Sequence, residues 1–142
     1  MEDIRYLIRE ILEESYLLHL ATKDDGGLWV ASVIYVASRD FTLYWKSRID
    51  ARHSQAFIHH HYIAGTISPC FDAFSLQKGL QIYGAVQKIE GEIPLAECYQ
   101  NKRRKEYPHV LKEGQSWYSL QPSLIELTYE KYFAFEKKRL VF

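Results

Sequence analysis

The feature that most constrains the fold is a series of short apolar runs, rich in β-branched and aromatic residues, that are separated by turns. The first run covers residues 16–21 and the second covers residues 28–37, with Lys23-Asp24-Asp25-Gly26-Gly27 between them. Two such runs joined by a short turn that contains glycine are typical of a β-hairpin. Further strands are predicted at residues 41–45, 62–68, 79–89, 124–129 and 132–135.

Helical periodicity is local. Apolar residues recur at helical spacing near the N-terminus, where Glu2 or Asp3 can serve as the N-cap. These residues are Ile4, Leu7, Ile8, Ile11 and Leu12. Two more helices are predicted, at residues 50–60 with Asp50 as N-cap and at residues 94–107 between two prolines. Several short strands with only local helices predict a mainly β fold, an antiparallel barrel or sandwich with α-helices.

Size and charge exclude several classes of function. The 142 residues suit one domain over 1–142. The 18 basic and 18 acidic side chains cancel, which argues against a nucleic acid partner, and the basic runs at residues 102–105 and 137–139 are interpreted as solvated faces. The N-terminus has no continuous apolar run, so we expect neither a signal peptide nor a membrane span there. Cys70 and Cys98 have no metal-type spacing, so we expect reduced thiols in a cytoplasmic protein.

Cations and hydroxyls are dense where the third predicted strand meets the second helix. Lys46 and Ser47 end the strand, and Arg52 and His53 lie in the first turn of the helix. A phosphate monoester needs such donors to converge on one point. A solvated turn with ordinary surface charges has the same composition, so spacing alone leaves both interpretations open.

Three consecutive histidines, His59, His60 and His61, follow in the same segment. Side chains of successive helical residues point about 100° apart, so at most two of them suit one metal ion. His53 and His60 could share one helical face, which keeps a metal or haem ligand open. The preferred interpretation is that the run caps the last carbonyls of the helix.

The order of four segments resembles the flavin-binding split-barrel superfamily of the pyridoxamine 5′-phosphate oxidases. The segments are GLWVASVIYV, FTLYWKSRIDARHSQAFIHHHYIAGTI, GLQIYGAVQKIEG and WYSLQPSLIELTYEKYFAF, and the resemblance covers about residues 5–142. More narrowly, the chain is similar to a little-characterised bacterial group related to that oxidase. The resemblance implies a homodimer with FMN at the subunit interface.

The resemblance also assigns flavin-binding residues. The strand that borders the flavin ring corresponds to Ser32, Val33, Ile34 and Tyr35. Lys46 and Ser47 match an aromatic-hydroxyl pair, with lysine in place of the aromatic residue. Arg52 and His53 match paired basic residues that hold the phosphate, with histidine where lysine is commoner. Gln81 matches a glutamine that reaches the polar edge of the flavin, for which an amide is suited.

The C-terminal segment departs from the oxidase pattern. The oxidase holds its pyridoxal substrate with an Arg-x-His arrangement, whereas KYFAFEKKRLVF offers Phe133, Phe135 and Lys137 and contains no histidine. A true pyridoxamine 5′-phosphate oxidase is therefore not expected. Two functions remain open: a flavin-dependent oxidoreductase acting on an unknown small molecule or electron donor, and a non-catalytic ligand- or haem-binding protein. FMN is the predicted cofactor, with haem or a deazaflavin as alternatives, and the flavin itself would supply the redox chemistry.

Overall fold

The computed structural model describes residues 3–69, 75–102 and 111–142. The helices are α1 (Ile4–Glu14), α2 (Arg52–Ala56), α3 (Ala96–Lys102) and α4 (Glu130–Phe133). The strands are β1 (Leu17–Asp24), β2 (Gly27–Ile34), β3 (Val36–Ala37), β4 (Leu43–Arg48), β5 (Tyr62–Ile67), β6 (Lys78–Ile89), β7 (Gln115–Tyr129) and β8 (Lys138–Val141). Among these helices, none combines the length and the apolar character that crossing a lipid bilayer requires.

The strands form one antiparallel sheet. Across the described residues its eight strands follow the order β2-β1-β5-β6-β7-β4-β3, and β8 pairs with β7. Strands β2 and β3 thus lie at opposite ends of the sheet, although only Tyr35 separates them along the chain. Consecutive Cα atoms are about 3.8 Å apart. The two ends must therefore approach each other, and the sheet curls into an incomplete barrel, which confirms the predicted mainly β fold.

Alternation along the strands defines the inner face of the barrel. In β1, Leu18, Leu20 and Thr22 are buried, whereas His19 and Ala21 lie on the outer face. The inner face continues through other strands with Ile63, Ile67, Leu80, Ile82, Ile125 and Leu127. Each large aliphatic side chain that is fully buried in this way contributes about 1.5–3 kcal/mol to the free energy of unfolding.

Helix α1 covers part of this core, as its periodicity predicts. The apolar stripe of Leu7, Ile8, Ile11 and Leu12 is buried, and the helix contacts β3, β6 and β8. The Asp3 carboxylate accepts a hydrogen bond of 2.9 Å from the backbone N–H of Arg5. The predicted N-terminal helix and its Asp3 cap are confirmed.

The predicted helix over residues 50–60 is shorter, and its predicted cap is wrong. Helix α2 begins after Ala51, which makes no side-chain capping bond. The Asp50 carboxylate instead accepts two hydrogen bonds from the Arg48 guanidinium, both of 2.9 Å. A charged fork-shaped donor binds a carboxylate more strongly than a neutral backbone N–H does, so the ion pair replaces the cap.

Two predicted strands are also corrected. The run at residues 28–37 divides at Tyr35, because β2 pairs with β1 whereas β3 pairs with β4. The Tyr35 hydroxyl is buried and donates to the Leu12 carbonyl over 2.8 Å. The strand predicted at 132–135 is wrong: α4 extends to Phe133, and Ala134 has a φ of 53°, which a strand does not accommodate.

The remaining differences concern element boundaries. Strand β4 begins two residues later than predicted, at Leu43, and runs to Arg48. The strand predicted at 124–129 is only the second half of β7, and β8 was not predicted. The helix predicted at 94–107 begins two residues later than predicted, at Ala96, and α3 is its described part. Its continuation beyond residue 102 and Cys70 lie outside the described residues.

A bulge explains how a proline fits inside the long β7 strand. The pairing of β6 with β7 shifts at Tyr83 and Gly84, and Gly84 lies opposite Pro122. A Cβ atom on Gly84 would lie 2.1 Å from the Gln121 carbonyl oxygen. The bulge therefore needs glycine for this close approach, and it tolerates the missing N–H of proline.

Candidate functional site

The end of β4 and the start of α2 bring a hydroxyl and an imidazole together. His53 Nε2 lies 3.0 Å from Ser47 Oγ. The ring also packs edge-on against Phe57, with 6.2 Å between centroids. Burial lowers the pKa of His53 below its ordinary value, because the charged imidazolium loses hydration. At neutral pH the site therefore holds a neutral imidazole, which offers one N–H donor.

Arg52, the neighbour of His53 in α2, faces the turn between β1 and β2. Its Nε and Nη2 atoms donate to the two carboxylate oxygens of Asp24, at 2.8 and 3.0 Å. Its guanidinium carbon lies 4.3 Å from the ring centroid of Trp29. The hydrogen bond from Arg52 holds the pKa of the Asp24 carboxyl below its usual range. Asp24 was missed by the sequence analysis, since it lies 28 residues from Arg52 and only the folded sheet joins them.

Lys46 lies apart from these groups. Successive strand residues point to opposite faces, so Lys46 and Ser47 occupy different sides of β4. The Lys46 Nζ atom lies 5.8 Å from the ring centroid of Tyr99, a buried residue of α3. The structure thus brings Ser47 and His53 together, places Arg52 beside them on α2, and directs Lys46 elsewhere.

Strand β2 is an end strand of the sheet. In the described residues it pairs with β1 alone, while its other edge faces the side of the barrel where β4 lies. Backbone N–H and C=O groups on such an edge are available to a ligand. Trp29 belongs to this strand and contacts Arg52, so β2 reaches the first residue of α2, next to His53 in the chain.

The side chains predicted to border the flavin have different environments. Ser32 Oγ lies 2.7 Å from His19 Nδ1 on the outer face. Val33 is buried, and Tyr35 is buried against α1. Ile34 lines a cavity of about 510 Å³ together with Lys102, whose pKa burial lowers to about 8. Val33 and Tyr35 could therefore meet a ligand only through their backbone, whereas Ser32 offers its hydroxyl on the outer face.

Gln81 lies on the outer face of the barrel, in a cleft of about 380 Å³. Two rows of directly paired residues cross the sheet there. The polar row consists of Ser32, His19, Thr66, Gln81, Glu126 and Arg139. The apolar row, two residues away on each strand, consists of Val30, Ala21, Ala64, Tyr83, Leu124 and Val141. A cleft with one polar and one apolar side suits a flat heterocycle with a hydrogen-bonding edge.

Gln81 is already engaged inside this cleft. Lys137 Nζ donates to Gln81 Oε1 over 2.6 Å and lies 3.4 Å from the Glu126 carboxylate. This contact orients the amide with its NH₂ group away from Lys137. The sequence analysis missed His19, Thr66 and Glu126 as cleft residues. Alternation marks them as outward-facing, but only the register between strands places them in one row.

The histidine run follows α2 and is exposed. The backbone N–H groups of His59 and His60 both donate to the Ala56 carbonyl, at 3.3 and 3.0 Å, and so end the helix. The described residues contain no group of three or more His, Cys, Asp or Glu side chains arranged to hold a metal ion. The backbone of the run, rather than its imidazoles, makes these terminal contacts.

Sequence comparison finds relatives of a little-characterised bacterial group. No family model matches the chain. A UPF0306 protein of Photorhabdus laumondii is 29% identical over 87 residues, which span 61% of this chain and 61% of that protein. A UPF0306 protein of Yersinia pestis is 26% identical over 87 residues and 59% of its length. The match thus spans less than two thirds of these relatives.

Solved structures extend the likeness to nearly the whole chain. A heme binding protein of Mycobacterium smegmatis has a TM-score of 0.77 and 14% identity, covering 99% of this chain and 59% of that one. HutZ, the heme storage protein of Vibrio cholerae, has a TM-score of 0.66 and 16% identity, covering 99% and 95%. A pyridoxamine 5′-phosphate oxidase-related, FMN binding protein of Nostoc punctiforme has a TM-score of 0.65 and 9% identity, covering 100% and 97%. The chain therefore has the split-barrel fold of the pyridoxamine 5′-phosphate oxidase-like proteins.

Proposed function

We propose that this protein binds FMN and acts as a flavin-dependent oxidoreductase on a small molecule. The observation that carries the proposal is that Ser47, His53 and Arg52 all lie where β4 meets α2, a helix that contacts β2. Ser47 and His53 are 3.0 Å apart, and Arg52 packs on Trp29 of β2. Guanidinium, imidazole and hydroxyl donors are the groups that hold a phosphate monoester.

The roles of these residues follow from their chemistry. Arg52 supplies a permanent positive charge and a forked donor. Ser47 and His53 each supply a neutral hydrogen bond, and their mutual contact fixes the imidazole. The β2 edge offers backbone donors and acceptors to the ring, and the Gln81 amide offers its NH₂ group to a carbonyl at the polar edge. Bound FMN would supply the electron transfer itself.

The reaction partner differs from that of the oxidase. The segment after α4 contains no histidine, and its Lys137 is hydrogen-bonded to Gln81. It therefore offers no Arg-x-His arrangement for a pyridoxal ring. We assign the chain a different small-molecule substrate or electron donor.

We also propose that the flavin site is completed by a second copy of the chain. The apolar row leaves Val30 65% and Val141 71% exposed, and an apolar sheet face of this kind is typical of an interface. Light scattering is expected to give the mass of a dimer, and Val30→Glu is expected to dissociate it and weaken FMN binding. Ile58→Glu is a matched control, since Ile58 is also 65% exposed but follows α2. A monomeric native protein would contradict this proposal.

An absorbance spectrum of the purified protein, followed by FMN titration, tests the cofactor. Oxidised flavin bands or saturable quenching of flavin fluorescence are expected. Arg52→Ala should weaken FMN binding roughly tenfold or more, since a charged hydrogen bond is lost. Arg48→Ala is the control, because Arg48 is an exposed arginine that pairs with Asp50. Equal FMN affinity in the native protein and Arg52→Ala would remove Arg52 from the site.

One observation favours haem as a second candidate. His19 lines the outer cleft, and its Nδ1 atom is engaged by Ser32, which directs Nε2 to a ligand. An imidazole held in this way is typical of an axial haem ligand. Haem titration would then give a Soret band that His19→Ala removes and His59→Ala retains. A Soret band that persists in His19→Ala would assign the iron ligand elsewhere.

A further inference from the structure

The Arg52 guanidinium already has an anionic partner in the ligand-free chain. Its Nε and Nη2 atoms bind Asp24 Oδ2 and Oδ1, at 2.8 and 3.0 Å. This is the two-point arrangement in which a guanidinium also binds a phosphate. A phosphate that uses the same pair of nitrogens must therefore displace the carboxylate.

The ion pair is held from several sides. The backbone N–H of Gly26 donates to Asp24 Oδ1 over 2.8 Å, which fixes the carboxylate in the β1–β2 turn. Trp29 supports the guanidinium from its flat face, at 4.3 Å. Gly26 also leaves room for the pair, because a Cβ atom there would lie 3.0 Å from Arg52 Nη2. Turn, strand and helix thus all position this one contact.

The pair nevertheless remains within reach of a ligand. The Arg52 and Asp24 side chains are 39% and 25% exposed. A ligand could approach the remaining N–H groups of Arg52, but its phosphate would then lie close to the Asp24 carboxylate. Two like charges at such a distance repel each other. Either displacement or repulsion therefore lowers the affinity for a phosphate.

We infer that Asp24 is a specificity determinant that competes with a ligand's phosphate for Arg52. The inference rests on the proposed flavin site and extends it, since it predicts how the chain ranks FMN against riboflavin. With Asp24 in place, the phosphate contributes less than an unopposed Arg52 would allow, so the native protein prefers FMN over riboflavin less strongly than Asp24→Asn does.

The test compares FMN with riboflavin, which lacks the phosphate, in the native protein, Asp24→Asn and Asp25→Asn. Asp24→Asn should strengthen FMN binding roughly tenfold, the order of one charged hydrogen bond, and leave riboflavin binding unchanged. Asp25→Asn removes the same charge from an exposed neighbour in the same turn and should leave the binding of FMN and of riboflavin unchanged. An unchanged or lower FMN-to-riboflavin preference in Asp24→Asn would overturn the inference, while the binding of both flavins would leave the proposed function standing.

A second measurement separates the two proposals. Inorganic phosphate should raise the melting temperature of Asp24→Asn more than that of the native protein, and Asp24→Asn/Arg52→Gln should lose this gain. If phosphate does this while neither flavin binds, Asp24 still controls the anion site and the flavin assignment fails. If phosphate stabilises the native protein and Asp24→Asn equally, Asp24 does not compete for Arg52.

Discussion

The inner face of the barrel and the junction of β4 with α2 differ in polarity and exposure, although β4 contributes side chains to both. The inner face and its α1 cover are apolar, and Ile8, Leu18 and Leu20 have no exposed surface. At the junction, Ser47, Arg52 and His53 are polar and partly accessible. Buried apolar area stabilises the fold in proportion to its extent, whereas partly exposed charges contribute little to stability but remain available to a ligand.

Stability and ligand recognition should therefore respond to different substitutions in this chain. A substitution on the inner face should change the free energy of unfolding and leave the affinity of the folded protein for FMN intact. A substitution at the junction should do the reverse. Each of the following variants tests whether the two regions are independent.

The largest effect is expected for Ile8→Ala on α1. Ile8 has no exposed surface, and its truncation leaves a cavity, which typically costs about 2–5 kcal/mol. Urea unfolding measures the loss, and Arg5→Ala, at an exposed position of the same helix, should be nearly neutral. FMN affinity measured without urea should match that of the native protein. A tenfold weaker FMN affinity in folded Ile8→Ala would show that the core and the site are coupled.

A smaller loss of stability is expected for Tyr35→Phe. The buried Tyr35 hydroxyl donates to the Leu12 carbonyl over 2.8 Å, and an intramolecular hydrogen bond contributes about 0.5–1.5 kcal/mol. The resemblance places Tyr35 in the flavin strand, but its side chain points toward α1. Urea unfolding should therefore detect the change and FMN titration should not. A change in FMN affinity without a change in stability would assign the hydroxyl to the ligand.

Local spacing explains which parts of the site were predictable. Ser47 and His53 are six residues apart, across one strand-to-helix turn, and their proximity follows from local structure. Arg52 and Asp24 are 28 residues apart, and Lys137 and Gln81 are 56 apart. Those contacts depend on strand register and on the curl of the sheet, which a single sequence does not specify. The hypothesis of a phosphate site was thus accessible, but the competing carboxylate was not.

The same reason separates the fold predictions that succeeded from those that failed. The stripe of Leu7, Ile8, Ile11 and Leu12 is a local period, and it predicted α1 correctly. The aromatic residues at 132–135 favour a strand by propensity, yet the chain turns there with Ala134 at positive φ. In β7, residues 116–120 are all buried, so the alternation that marks a strand is missing from its first half.

His53 should give FMN binding a modest dependence on pH. Burial keeps the pKa of His53 below its ordinary value in the free chain, and a bound phosphate favours the charged form and raises it. At pH values below the pKa of His53 in the free chain, the affinity for FMN is therefore higher by about fivefold, the effect of one added charge contact. This gain is lost as pH rises through the pKa that His53 has when the phosphate is bound. His53→Gln should remove the part of this pH dependence that is due to His53. The FMN phosphate also titrates, but it does so with both proteins, so comparing their pH profiles isolates the contribution of His53. Identical pH profiles would exclude His53 from phosphate binding.

The His53 imidazole should also make the free energy of unfolding depend on pH. The folded pKa of His53 lies below the unfolded value of about 6.5, so the unfolded chain binds the proton first as pH falls. The contribution of His53 is therefore complete above the unfolded pKa and declines as pH falls through the folded pKa. His53→Gln should reduce this loss on acidification, as measured by urea unfolding at several pH values.

The smallest effect is expected for Lys46→Met, although the sequence pattern groups Lys46 with the candidate phosphate donors Ser47, Arg52 and His53. Its ammonium lies on the opposite side of β4 from Ser47, 5.8 Å from the ring centroid of Tyr99. Methionine keeps most of the apolar stem that packs there and removes the charge. FMN affinity should therefore change by less than about twofold, well under the tenfold of one charged hydrogen bond. A tenfold loss in Lys46→Met, with riboflavin affinity unchanged, would mean that the phosphate is held from both sides of β4 and that the site extends beyond Ser47, Arg52 and His53.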